Sequence, residues 1–188
     1  MLGTSSFNFV KPSSIFLIYS FLFLVASSII FLYVCCLVNR NDTIHAMVCH
    51  LPSKLGGSGA TQWKRDMAKQ VLQQEIDSIL SLHSSANIVV MGDMNSEAKD
   101  DLQGMSNLMK TLAKEGKGTH KYHGIWSCLD QFYVSSHIHK KSEVNIFSPQ
   151  WLLEEDNKYL DYQPKRTYVG YRYHDGYSDH LPIVLKIN

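Results

Sequence analysis

The chain has 188 residues, 45% of them apolar and 19% charged, a globular composition whose length fits one domain with at most an appendage. Its formal net charge is +1, and the first 40 residues carry only Lys11 and Arg40. Taking these two from the 18 bases leaves 16 against 17 acids, or −1 over residues 41 to 188, a balance that gives no general electrostatic footprint for long nucleic acid.

The chain opens on an apolar leader. From Ile15 to Val38 it runs 24 residues without a charge. As a helix rising about 1.5 Å per residue, this run would span roughly 36 Å, enough to cross a hydrocarbon core of about 30 Å. The first expectation is therefore an N-terminal membrane-spanning helix within residues 1–40, giving a single-pass membrane protein. A secretory signal peptide cleaved near Val25, Ala26 and Ser27 is a second reading, although the run is longer than an h-region usually is. A start misassigned upstream of a gene fragment, with no evolved role for these residues, is the third. One lysine before the run and one arginine after it leave orientation open.

The remainder, residues 41–188, reads as alternating strands and helices. TIHAMVC, from Thr43 to Cys49, has the imperfect alternation of a strand and is followed by His50, Leu51 and the strand-stopping Pro52. Ser53 to Gly59 is a loop by its glycines. Beyond it, Trp63, Met67 and Val71 at four-residue spacing, with Leu72, Ile76, Ile79 and Leu80 on an adjoining stripe, predict an amphipathic helix capped at Thr61. Asn87 to Met91 is a short apolar strand of the kind buried on both faces. Leu102 to Ala113 is predicted helical, with Gly116 and Gly118 beyond its end. Short strands follow in CLDQFYVSS, EVNIF and LPIVLKI, with a tyrosine-rich connection from Tyr159 to Tyr177 between the last two. This order fits an α/β layer packing. Of the four cysteines, Cys35 and Cys36 lie in the apolar run. Cys49 and Cys128 fall in expected strands, where buried free thiols are the simpler reading than a disulfide.

The chemistry sits at strand ends. In VVMGDMNSE, Val89 to Glu97, the strand delivers Asp93 and Asn95 to one sheet edge. A carboxylate and a carboxamide in one cleft can hold a metal ion, orient a water or hydrogen-bond an anionic oxygen. Taken alone, Asp and Asn after a strand are ordinary turn formers. GYSDHLPIVLKI places Asp179 beside His180, where a carboxylate can orient an imidazole or ligate a metal next to it, although an Asx turn with a surface histidine explains the tripeptide as well. His50 ends another strand, and Asp130 interrupts an otherwise apolar one, which is costly unless that acid meets a polar cleft. Each motif has a bland explanation, but four together are hard to dismiss.

HLPSK, VVMGDMNSE, LDQFYVSS and YSDHLPI, in this order and spacing, resemble the endonuclease/exonuclease/phosphatase superfamily, which includes DNase I, abasic-site endonucleases, neutral sphingomyelinases and inositol-phosphate phosphatases. The likeness covers about residues 41 to 188 and is nearest to a bacterial branch with a GTHKYHGIWSCLDQ-like segment. It implies Mg²⁺- or Mn²⁺-dependent hydrolysis of a phosphoester such as nucleic acid, a phospholipid or an inositol phosphate. On these implied roles, Asp93 orients or deprotonates the attacking water and also serves the metal, while Asn95 and His50 contact phosphate. Asp179 helps hold the metal, His180 contacts phosphate and shares the acid–base work, and Asp130 orients a neighbouring catalytic histidine.

The resemblance also implies a four-layer sandwich of two similar halves, the first supplying an early Asn and a Glu that ligates metal. No Glu precedes Glu75 here, so the chain resembles the second half alone: a partial DNase I-like sandwich, one sheet with its helices, behind an apolar helix. Such a sheet is expected to expose an apolar face that a second chain, or a second copy, would cover. Two functions follow as expectations: a metal-dependent phosphoester hydrolase, and a catalytically inactive membrane-anchored fragment. Lys165, Arg166, Arg172 and the tyrosines beside them could hold a nucleotide, and Lys54 could touch phosphate, but loop packing and solvation are the default for both.

Overall fold

The computed structural model describes residues 17–18, 30–38, 42–54 and 57–188. Strands β1 (Leu17–Ile18), β2 (Ile30–Val38) and β3 (Asp42–His50) are followed by helix α1 (Ser58–Leu82) and β4 (Asn87–Asp93). Next come β5 (Met105–Asn107), α2 (Lys110–Lys114), β6 (His120–Tyr122), β7 (Ile125–Ser127) and β8 (Asp130–Ser135). A short α3 (Ser136–His139) leads to β9 (Ser142–Ile146), β10 (Leu153–Asp156) and β11 (Asp161–Pro164). The chain finishes with β12 (Tyr168–Val169), β13 (Arg172–Tyr173) and β14 (Ile183–Ile187).

Six strands form one sheet in the order β1-β2-β3-β4-β8-β5. Only β3 and β4 run parallel, and α1 is the crossover between them, as a parallel pair requires. The buried face of α1 is Ala68, Leu72, Ile76 and Ile79, packed on Met47, Cys49, Ile88 and Val90 of the strands. Trp63, Met67 and Val71, expected on that face, point the other way and are exposed. A spacing of four drifts around a helix of 3.6 residues per turn, so the stripe beginning at Trp63 and the one beginning at Ala68 cannot both face the sheet. The helix also starts three residues before Thr61, at Ser58.

The opposite face of β4 and β8, with Val89, Phe132 and Val134, is buried under Ile138, Ile146, Leu152 and Leu181 and the partly buried residues of β9 and β14. The apolar face expected to await a second chain is thus covered over these strands by the chain's own antiparallel β9–β14 pair and the residues around it. On β3, Val48 remains 38% exposed.

Two further expectations change. The described parts of the apolar run, β1 and β2, are strands rather than the expected N-terminal helix; its other residues lie outside the described ones. IFLYVCCLV is rich in β-branched and aromatic residues, which favour a strand where a partner edge is present. β3 supplies that edge from Ile30↔His50 to Val38↔Asp42. No helix among the described residues is long and apolar enough to cross a membrane. The helix expected over Leu102 to Ala113 shrinks to α2, because Gly104 at φ 74° turns the chain and Met105 then pairs with Ser135 on the sheet edge. Cys49 and Cys128 are buried free thiols.

Candidate active site

The register of the central strands puts three of the expected residues in one row. His50 of β3 is the partner of Asp93 of β4, and Asp93 is the partner of Asp130 of β8. Three neighbouring strands therefore end at one level, and their side chains line an open cleft of about 880 Å³. Asn95, Asp179 and His180 line the same cleft, so all six residues expected from the sequence meet there. Ser53, Lys54, His120, Tyr122, Ser127, Leu129 and Arg166 complete its wall.

The loop after β4 is fixed by its own composition. Gly92 sits at φ 128°, and a Cβ there would lie 2.0 Å from the Cys49 carbonyl oxygen, so only glycine lets β4 run this close to β3. Asn95 adopts φ 47°, a left-handed conformation that Asn tolerates well, and its backbone N–H donates to Asp93 Oδ1 at 2.8 Å. Its side-chain amide donates to Asp93 Oδ2 at 3.0 Å and to the Leu51 carbonyl at 2.8 Å. Both amide protons are thereby committed within the protein. For Asn95 to donate to phosphate, as the resemblance implied, one of these bonds would have to give way. As it stands, the amide oxygen is the group left for the cleft, and an acceptor suits a cation.

Buried polar side chains hold the neighbouring loops. Arg65 of α1 donates to the Pro52 carbonyl at 3.2 Å and to the Thr61 hydroxyl at 2.8 Å, pinning the segment that carries His50. Gln131, fully buried, donates to the carbonyls of Ser96 and Cys128 and accepts from Asn107 and the Tyr133 hydroxyl. This ties the Asp93–Asn95 loop to β8. Thr119 links the remaining wall: its hydroxyl accepts from the Asp130 N–H at 3.2 Å, and its carbonyl accepts from the Leu181 N–H at 2.7 Å.

His180 then meets Asp130. Its Nδ1 lies 2.6 Å from Asp130 Oδ2, a contact that fixes the orientation of the ring. Burial alone would lower the His180 pKa, but the hydrogen bond to Asp130 and the charges of Asp130, Asp93 and Asp179 outweigh it and raise the pKa above its ordinary value. Asp93 is raised above the usual carboxylate range, first by burial, with the bond from Asn95 opposing and the charge of Asp130 adding. His50 Nε2 stands 3.6 Å from Asp93 Oδ2 and is largely exposed.

The sequence reading leaves out His120 and takes Arg166 only as a loop cation that could hold a nucleotide. His120 faces His180 through an isolated antiparallel bridge, with ring centroids 4.8 Å apart. Burial, and then the nearby charges of His180 and Arg166, lower its pKa. Arg166 donates from Nη2 to the Lys121 carbonyl at 2.6 Å, while its buried Nε has no hydrogen-bond partner among the described residues. Both sit in segments legible in the sequence, but only folding brings them to the row. The donor set suits a divalent cation: Asp93 and Asp130 share one edge, and a bound cation would offset the burial that chiefly raises the Asp93 pKa and the smaller effect of the Asp130 charge.

A sequence model of the Endonuclease/Exonuclease/phosphatase family matches residues 31–188. No curated protein matches the chain. Among solved structures, truncated Caenorhabditis elegans TDP2 is similar at TM-score 0.58 and 14% identity, covering 92% of this chain and 64% of that one. A humanized D. rerio TDP2 is similar at TM-score 0.55 and 16% identity, covering 90% and 65%. A second TDP2 structure from Caenorhabditis elegans gives TM-score 0.56 and 14% identity, covering 82% and 44%. The chain spans less than two thirds of the length of these structures, and the likeness at such identity is one of fold, the DNase I-like fold that the motifs implied.

Proposed function

The chain belongs to the endonuclease/exonuclease/phosphatase family, and we propose that its cleft hydrolyses a phosphoester with the help of a divalent cation, Mg²⁺ or Mn²⁺. The observation that carries this reading is the row His50, Asp93, Asp130 across three adjacent strands, with His180 hydrogen-bonded to its last member.

Asp93 accepts a proton from the attacking water; burial and the neighbouring Asp130 raise its affinity for that proton. His180, oriented and kept cationic by Asp130, stabilises charge on the phosphoryl oxygens and returns a proton to the leaving group. His50, Lys54 and Arg166, all lining the cleft, add donors for the anion. Asp93, Asp179 and the Asn95 amide oxygen would hold the cation, which when bound supplies neutralisation of the phosphate.

The test is hydrolysis of bis-p-nitrophenyl phosphate, nucleic acid and phospholipid vesicles by the full chain with Mg²⁺ or Mn²⁺, against Asp93→Ala. Activity above that control on at least one substrate is expected, and the substrate cleaved identifies the class. Wild type and Asp93→Ala indistinguishable on all three would sink the reading in favour of a catalytically inactive family member.

A further inference from the structure

The backbone forces two imidazoles together beside a carboxylate. His120 and His180 are opposed in an antiparallel bridge, and the Leu181 N–H donates to the Thr119 carbonyl at 2.7 Å beside it. Side chains so opposed have Cβ atoms about 5 Å apart, close enough for their rings to converge. Asp179 precedes His180 directly, and one ligand atom from each of His120, Asp179 and His180 lies within 4.8 Å of the other two.

We propose that His120, Asp179 and His180 form a binding site for a first-row transition metal of the zinc class at the wall of the cleft. Two imidazole nitrogens and one carboxylate oxygen make a borderline-soft donor set, suited to zinc with a fourth position left for water or an anionic ligand. A hard magnesium ion prefers oxygens and gains little from His120. The surroundings fit as well. His180 uses Nδ1 on Asp130, at 2.6 Å, and so presents Nε2 as its other nitrogen, which ligates only in the neutral ring; zinc uptake therefore releases the proton that the acid role of His180 would use. A carboxylate that holds the far side of a ligating imidazole is the usual outer support of such a metal. Ligand atoms bonded at about 2.0–2.2 Å stand roughly 3.5 Å apart around a tetrahedral ion, so the set must close by about 1 Å. Asp179 is exposed and both histidines are only partly buried, which leaves room for that closure. The inference concerns the same cleft as the phosphoester reading but does not depend on hydrolysis.

The experiment is calorimetric titration of ZnCl₂, and separately MgCl₂, into the full chain, its His120→Gln variant and its Asp130→Asn variant. One zinc per chain is expected, weakened at least about tenfold in His120→Gln and about tenfold in Asp130→Asn, with the magnesium isotherm unchanged in His120→Gln. Zinc affinity equal in wild type and in folded His120→Gln, or no zinc uptake by folded wild type, overturns the proposal. If circular dichroism shows His120→Gln unfolded, the visible spectrum of the CoCl₂-loaded wild type decides: bands of a nitrogen-ligated low-coordinate ion support the site, and an octahedral aquo-like spectrum refutes it. Zinc binding without phosphoester hydrolysis would leave this inference standing while removing the functional one, and hydrolysis without zinc binding would do the reverse.

Discussion

His180 Nδ1 and Asp130 Oδ2 stand 2.6 Å apart although 50 residues separate them in the chain. The contact joins the loop before β14 to the first residue of β8, and Thr119 bonds to the backbone of both regions. An imidazole held in this way has its orientation fixed and its cationic form favoured.

That pair sets a pH dependence. The folded-state pKa of His180 is raised above its ordinary value of 6.5, so its contribution to stability is fully present below about pH 6.5. The contribution is lost as pH rises through the folded value. Denaturant unfolding of wild type and Asp130→Asn should therefore differ most in mildly acidic buffer, with the gap narrowing toward alkaline pH. Imidazole proton NMR should show the His180 titration moving down in Asp130→Asn. An unchanged titration would mean that the contact does not persist in solution.

Gly92→Ala should be among the most damaging small substitutions in the protein. The added methyl would sit 2.0 Å from the Cys49 carbonyl oxygen at a backbone angle that disfavours a side chain. Separating β3 from β4 at that level also separates His50 from Asp93. A loss of at least about 3 kcal/mol in urea unfolding is expected, with whatever protein remains folded inactive. A loss below about 1 kcal/mol would show that the strands are not this close.

Cys49 and Cys128 should be silent toward alkylating reagents in the folded protein. Burial pushes both thiols up to about 12, with the acids Glu97 and Asp130 adding to the effect on Cys128, so almost no thiolate is present near neutrality. Iodoacetamide labelling mapped by peptide mass should leave both unmodified at about pH 8 and modify both after denaturation. Fast labelling of either residue in the native protein would place it at the surface.

Local sequence signals and the structure agree where one principle acts alone. Ile88 to Met91 is apolar without interruption and belongs to a central strand buried on both faces. His50 and Asp93 close β3 and β4, with Asn95 just beyond, whereas Asp179 and His180 come shortly before β14; polar groups at such strand ends are legible from residue order alone. Where two principles competed, the local reading failed. The Trp63, Met67 and Val71 stripe looked like the core face of α1, yet the buried stripe includes Arg65 and Ala68, because a charged residue can be buried once its guanidinium finds carbonyls and a hydroxyl. The apolar run before Arg40 satisfied a length and hydropathy rule for a membrane helix, and those rules hold no information about the edge that β3 offers.

The sequence by itself determined the α/β composition, the family motifs and the identity of the polar groups at the strand ends, since these depend on periodicity and residue type along a few neighbouring positions. Only the tertiary structure decided the rest. Strand register placed His50, Asp93 and Asp130 in one row. The bridge between β6 and the loop before β14 set His120 against His180. The C-terminal strands buried the second face of β4 and β8. The residues paired in the first two relations stand 37, 43 and 60 positions apart and the third has no local signature, and the physical reason is that pairing free energy depends on which edges and faces remain unpartnered once every other element has packed.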